Sequence, residues 1–223
     1  MTSTPSTAWQ ERIADGETER FDALARRLAD IQKARSARHP MGRALHYKAH
    51  AGLLGHFTVH DDVPAWAQVG IFATPARFPA YVRYSNGSGA HQPDTEPDVR
   101  GIAVKLVGVP GTKIIHPEAK TQDFLAILTA AVPFATPEEF VGLVHAVSGH
   151  KLLALPRLFG HFGLRLGGVL GKLKAGLGVR VDSLAAPTFY SALPIQWGTY
   201  AVKYSFAPVT PPDAAQITSK DGY

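Results

Sequence analysis

The chain has no cysteine among its 223 residues. That excludes disulfides, thiolate nucleophiles, Cys-ligated metal and a haem–thiolate site, and it leaves the redox compartment open. No apolar run approaches the ~20 residues needed to cross a bilayer. The start, Met1-Thr-Ser-Thr-Pro-Ser-Thr-Ala-Trp9, shows no basic region followed by an apolar one, so no secretory signal is read there. These absences make a soluble, cytoplasmic protein the expectation. There is also no Gly-x-Gly-x-x-Gly, no Walker loop and no Gly-x-Ser-x-Gly elbow, which removes support for nucleotide and esterase readings. Acidic residues are missing from His150 to Arg180, although Lys151, Arg157, Arg165, Lys172, Lys174 and Arg180 all fall there.

What is present describes a folded, basic protein. Hydrophobic residues make up 45% and charged residues 18%, too apolar a balance for disorder. The length suits one domain with attached helices. A net charge of +5, before ten histidines are counted, favours carboxylates, phosphates or acidic lipid surfaces. No motif indicates nucleic acid.

Residues 1–16 read as a polar leader. From 17 to about 33, Phe21, Leu24, Ala25, Leu28 and Ile31 recur at helical spacing, and Pro40 ends the pattern. Residues 43–108 change period. Segments 53–59, 66–72, 80–85 and 102–107 are short apolar or alternating runs, separated by Asp61-Asp62, Thr74-Pro75, Asn86-Gly87 and Pro110-Gly111. Such spacing predicts an antiparallel sheet or closed barrel. On the third run Tyr81, Arg83 and Ser85 share one face, with Ala80, Val82 and Tyr84 on the other. Residues 121–135 read as a strand and a crossing segment. Thr136-Pro137-Glu138-Glu139 is a helix start with N-cap, first-position proline and acids in the first turn, and Gly149 is the expected stop. The basic, leucine- and glycine-rich stretch at about 150–186 predicts packing helices, or a helical face that makes a peripheral membrane contact through 150–180. Residues 199–206 alternate as one strand.

His46 and His50 stand four apart beside Arg43. A zinc pair would need a third ligand, and no His-Glu-x-x-His pattern supplies one. From spacing alone the reading stops at a β-rich domain with a His/Arg/Ser pocket for an anionic ligand.

A resemblance takes it further. Arg43-x-x-His46-x-Lys48 followed by Gly55-His-Phe57 resembles the distal-histidine segment of haem catalases, and Tyr81-Val-Arg83-Tyr-Ser85 resembles their Val-Arg-Phe-Ser strand. Asp94-Thr-Glu-Pro-Asp98-Val-Arg100-Gly101-Ile-Ala-Val-Lys105 and Gln122-Asp123-Phe124 are similar to the two strands that follow, and Phe189 to Pro208 to the closing strand of smaller bacterial catalase-like proteins. The resemblance covers about 43–145 and 187–208. It implies an α+β fold: a catalase-like antiparallel β-barrel, closed or incomplete, with peripheral helices. Residues 1–40 would be the leader and helix, and 41–223 the barrel domain with its helical insertion.

The same resemblance implies a haem (heme b, iron) cofactor and a catalase-related peroxidase, or an allene-oxide-synthase-like enzyme, acting on hydrogen peroxide or lipid hydroperoxides. His46 would be the catalytic acid–base, oriented by Ser85, with His50 as the fallback because the segment carries one residue more than the usual spacing before Phe57. Arg43 and Arg83 would pair with the propionates, and Phe134 would also contact the cofactor. The family's peroxide-binding asparagine falls near Leu128-Thr129, so that amide is absent. Its axial tyrosinate comes from an Arg-x-x-x-Tyr helix after the closing strand, which 209–223 does not resemble; Tyr223 lacks the upstream arginine. The alternative is a non-catalytic barrel that binds a lipid or other apolar anion, with haem lost. A homo-oligomer is compatible with either.

Overall fold

The computed structural model describes residues 5–37, 43–148, 151–177 and 181–210. Arg38 to Pro40, the expected helix stop Gly149, Arg180 and Tyr223 lie outside the described residues.

The sheet is the frame. β1 (Ala49–Val59), β2 (Ala76–Asn86), β3 (Arg100–Val107) and β4 (Thr121–Ile127) form an antiparallel meander. Two short strands, β5 (Phe189–Tyr190) and β8 (Ser205–Phe206), extend it, giving the order β1-β2-β3-β4-β5-β8. The sheet does not close on itself, so the expected barrel is a half-barrel. β6 (Ile195–Trp197) and β7 (Tyr200–Val202) pair separately as a hairpin.

Alternation along the strands decides the two faces. Ala80, Ile102, Val104, Leu106, Phe124 and Ala126 point inward with Phe189, and Phe57, Phe72 and Phe206 pack against them. Aromatic edges fill this core: Phe124 stacks on Phe57 at 5.8 Å between centroids and meets Tyr204 edge-on at 5.4 Å. The other face carries Tyr81, Arg83 and Ser85 on β2, as their spacing predicts, and is largely open.

Two expected strands take other forms. Residues 66–72 are two 3-10 turns, Ala65–Ala67 and Gly70–Phe72, because Gly70 sits at φ +57° and turns the chain. The Trp197 and Phe72 rings still meet, at 4.4 Å. The run 199–206 is divided: β7 folds back on β6 through Gly198, at φ +61°, and only β8 returns to the main sheet.

Helices lie beside the sheet. α1 (Glu17–Ser36) begins with acids and ends with Lys33 and Arg35, matching the helix dipole. α2 (Pro137–Ser148) starts as its sequence predicts, with the Glu139 amide donating to Thr136 Oγ1 at 3.3 Å. α3 (Ala154–Phe162) and α4 (Leu166–Leu177) follow, and Ala146, Leu158, Phe162 and Val169 make a second small core. Among the described residues no helix is long and apolar enough to cross a membrane.

Candidate functional site

The site forms where the chain enters β1. His46 adopts a left-handed backbone, φ +51°, unusual for a residue with a side chain. Such a conformation costs about 1–3 kcal/mol and persists only where neighbours enforce it. Here they do. The His46 and Tyr47 amides donate to the carbonyls of Gly87 and Ser88, both at 3.0 Å, and Arg83 donates to the His46 carbonyl at 2.6 Å. The loop after β2 and the β2 arginine thus clamp the turn.

That turn aims the imidazole at the sheet. His46 Nδ1 lies 3.1 Å from Ser85 Oγ, a hydrogen bond between two residues the sequence reading had paired. The ring is seated on Gly101, the register partner of Ser85: a Cβ at Gly101 would stand 2.7 Å from His46 Cε1 and 3.1 Å from Nδ1. Only a glycine leaves room for the ring. Nε2 makes no hydrogen bond among the described residues. Burial, then Arg83, then Arg43 lower the His46 pKa, so the imidazole is held neutral.

The two arginines are a cationic pair. Burial and Arg43 lower the Arg83 pKa, and both guanidiniums press on His46. Among the described residues neither forms an ion pair with a carboxylate. Uncompensated guanidiniums beside a neutral imidazole suit a carboxylate-bearing or other anionic ligand. Arg83 also lines an open groove of about 490 Å³ on the sheet face, walled by Gly52, Leu53, Leu54, Tyr81, Ala103 and Lys105. Its surface is mostly apolar: Leu54 is 80% exposed and Tyr81 55%.

His50 goes elsewhere. The pairing of β1 with β2 shifts between Ala49 and Ala51, so the extra residue of this segment is absorbed as a bulge at His50. The bulge turns His50 into a buried polar cluster, with Nε2 2.5 Å from Asn86 Oδ1 and Nδ1 3.2 Å from Asp94 Oδ1. Lys48 Nζ reaches the same Asp94 oxygen at 2.9 Å, and Arg100 donates to the Asp94 carbonyl at 2.7 Å. Burial is the main reason that the His50 pKa is lowered, against the opposing pull of Asn86 and Asp94. With its side chain 2% exposed, His50 braces the loop that holds His46 and does not face the groove.

Two further placements differ from the sequence reading. Leu128 belongs to the inward core, and the β4 residue level with Ser85 and Gly101 on the His46 face is Ile127. The β4 position at that level of the face is therefore apolar, one residue earlier than the motif spacing suggests. Phe134 packs on Phe140, with centroids 5.6 Å apart, and joins the core of α2, α3 and α4. Sequence reasoning missed Gly101 as the seat of the ring and Asn86 as the partner of His50, although Gly101 sits inside a quoted motif and Asn86 directly follows one.

Among the described residues no three His, Cys, Asp or Glu side chains gather as a metal site. No family model matches the sequence, and no curated protein matches it significantly. Among solved structures it is similar to a fungal catalase, with TM-score 0.51 at 17% identity, covering 87% of this chain and 37% of that one. The chain therefore spans little more than a third of that catalase's length. At this identity the likeness speaks to architecture alone: the open antiparallel sheet with flanking helices is a catalase-like α+β fold.

Proposed function

We propose that this chain provides the distal half of a haem pocket and acts as a haem-dependent, catalase-related peroxidase on organic or lipid hydroperoxides, with hydrogen peroxide a poorer substrate. The observation that carries this reading is the His46–Ser85 pair beside two arginines without a carboxylate partner among the described residues. The residues fit haem on this side. The groove lining of Gly52, Leu54 and Ala103 would offer an apolar surface to a flat macrocycle, and Arg83 in that lining, with Arg43 near it, would hold its propionates. Haem, when held there, would supply the iron chemistry for cleaving a peroxide O–O bond. The protein's part is a proton: Nε2 of neutral His46 takes it from the hydroperoxide and returns it to the departing oxygen. Ser85 and Gly101 fix the ring for that transfer. Ile127, where a polar amide would aid hydrogen peroxide, favours a substrate with an apolar tail.

The test is turnover of cumene hydroperoxide with a reducing dye after haem addition. Haem-loaded protein should turn over, and His46→Ala should lose about 10²–10⁴-fold. His50→Ala, if folded, should retain most activity. Equal turnover in wild type and His46→Ala would reject the assignment. A second reading, a non-catalytic carrier of an apolar anion, is favoured by the same apolar Ile127. Native mass spectrometry showing bound acyl anions and no haem uptake would select it.

A further inference from the structure

Helix α3 is apolar on more of its circumference than the fold covers. At about 100° per residue, Leu158, Phe162, Leu155 and Phe159 make a continuous apolar arc, which Leu152 in the preceding turn extends. Leu158 and Phe162 are buried against Ala146 and Val169. The other half of the arc is bare: Leu152 is 81% exposed, Leu155 63% and Phe159 58%. In a water-soluble helix this half would be polar. The uncovered surface continues past the helix, with Leu164 98% exposed and Leu170 39%. On α4, a Cβ added at Gly167, Gly168 or Gly171 would meet nothing within 4 Å, so those positions open onto free space.

The segment that builds this surface carries charge of one sign. No Asp or Glu occurs between Phe140 and Val181, while six Lys or Arg do. Arg165 is engaged by Glu139, leaving Lys172 and Lys174 exposed on α4 with no ion pair among the described residues. Exposed leucine and phenylalanine on α3, with exposed lysines on the α4 helix packed against it, match an interfacial helix pair, whose apolar side chains enter the acyl boundary while cations meet anionic headgroups. A protein partner of ordinary composition would not require this one-sided charge.

We propose that the α3–α4 face docks on an anionic membrane surface, lying in the interface without spanning it. This is independent of the haem reading, because none of the residues named here touches the His46 site.

The experiment is co-sedimentation of the chain with vesicles, either pure phosphatidylcholine or phosphatidylcholine containing a third phosphatidylserine. Binding to the anionic vesicles is expected at low salt, weakening as ionic strength rises, with little binding to the neutral ones. Lys172→Gln with Lys174→Gln should weaken partition about thirtyfold. Leu155→Ser with Phe159→Ser should abolish it while circular dichroism stays native, since both side chains are exposed. No binding to anionic vesicles, equal binding to both compositions, or variants that bind as wild type does would overturn the proposal. So would a concentration-dependent dimer, seen by light scattering, that the Leu155/Phe159 variant dissolves, because it would assign the face to a second copy.

Discussion

Replacing Gly101 by alanine tests the geometry at its tightest point. The new methyl would stand 2.7 Å from His46 Cε1 and 3.1 Å from Nδ1, where unstrained contacts between heavy atoms lie near 3.5–4.0 Å. The backbone of Gly101 cannot retreat, because it is paired on both sides, with Ser85 and Ile127. The imidazole must therefore swing away, and the 3.1 Å bond to Ser85 goes with it. Overpacking of this kind costs about 1–3 kcal/mol, and loss of the hydrogen bond about 0.5–1.5 kcal/mol. For a chain of this size each kcal/mol lowers Tm by about 2–4 °C. Ser85→Ala removes the same bond without the clash, so the two variants separate steric from polar effects. Nitrogen-detected NMR of the His46 ring should show a changed environment in both, with the larger loss of stability and turnover in Gly101→Ala. Native Tm together with unchanged His46 resonances in Gly101→Ala would refute the placement of the ring.

Three other outcomes follow from the structure. Burial, Arg83 and Arg43 lower the His46 pKa in the fold, and burial foremost lowers those of His50, His145 and His161. The unfolded chain therefore takes up protons first: stability is full above the ordinary histidine value of about 6.5 and is lost as pH falls below it, so urea midpoints should drop between pH 7.5 and 5.5, and less steeply in His46→Gln. Asp94→Ala removes the buried carboxylate that pairs with both Lys48, 8% exposed, and His50, and should cost about 3–5 kcal/mol by urea unfolding, far more than removing an exposed pair such as Arg20 with Glu138. The Tyr204 hydroxyl accepts from the Leu125 amide at 2.8 Å and donates to its carbonyl at 2.7 Å, in place of a strand partner on that edge of β4; Tyr204→Phe should cost about 1–2 kcal/mol and speed exchange of the Leu125 amide.

Much of the site was legible because it depends on local periods. The two-residue alternation of β2 places Arg83 and Ser85 on one face, and nothing distant can change that without unpairing the strand. The start of α2 was equally local, written in Thr136, Pro137 and two acids. What stayed hidden depends on partners remote in sequence or on single backbone angles. His46 and His50 are equivalent by composition; only the bulge against Ser85 and Tyr84 leaves one on Ser85 and sends the other to Asp94. Ile127 rather than Leu128 shares the face of Ser85 and Gly101 because the register of β4 on β3 is set by the burial of Phe124 and Ala126. Phe134, which the resemblance assigns to the cofactor, packs in the helical core against Phe140, a placement that no local period in its sequence reveals. The run 66–72 reads as a strand until the left-handed Gly70 is seen.

The most direct test of the central claim is a spectrophotometric titration of the chain with haem, in wild type and in the Arg43→Gln, Arg83→Gln double variant. The expected result is a shifted Soret band that saturates at one haem per chain, with affinity at least tenfold weaker in the double variant because two propionate contacts are lost. A Soret band that never departs from that of free haem, or one whose affinity does not change when both arginines are removed, would contradict the account.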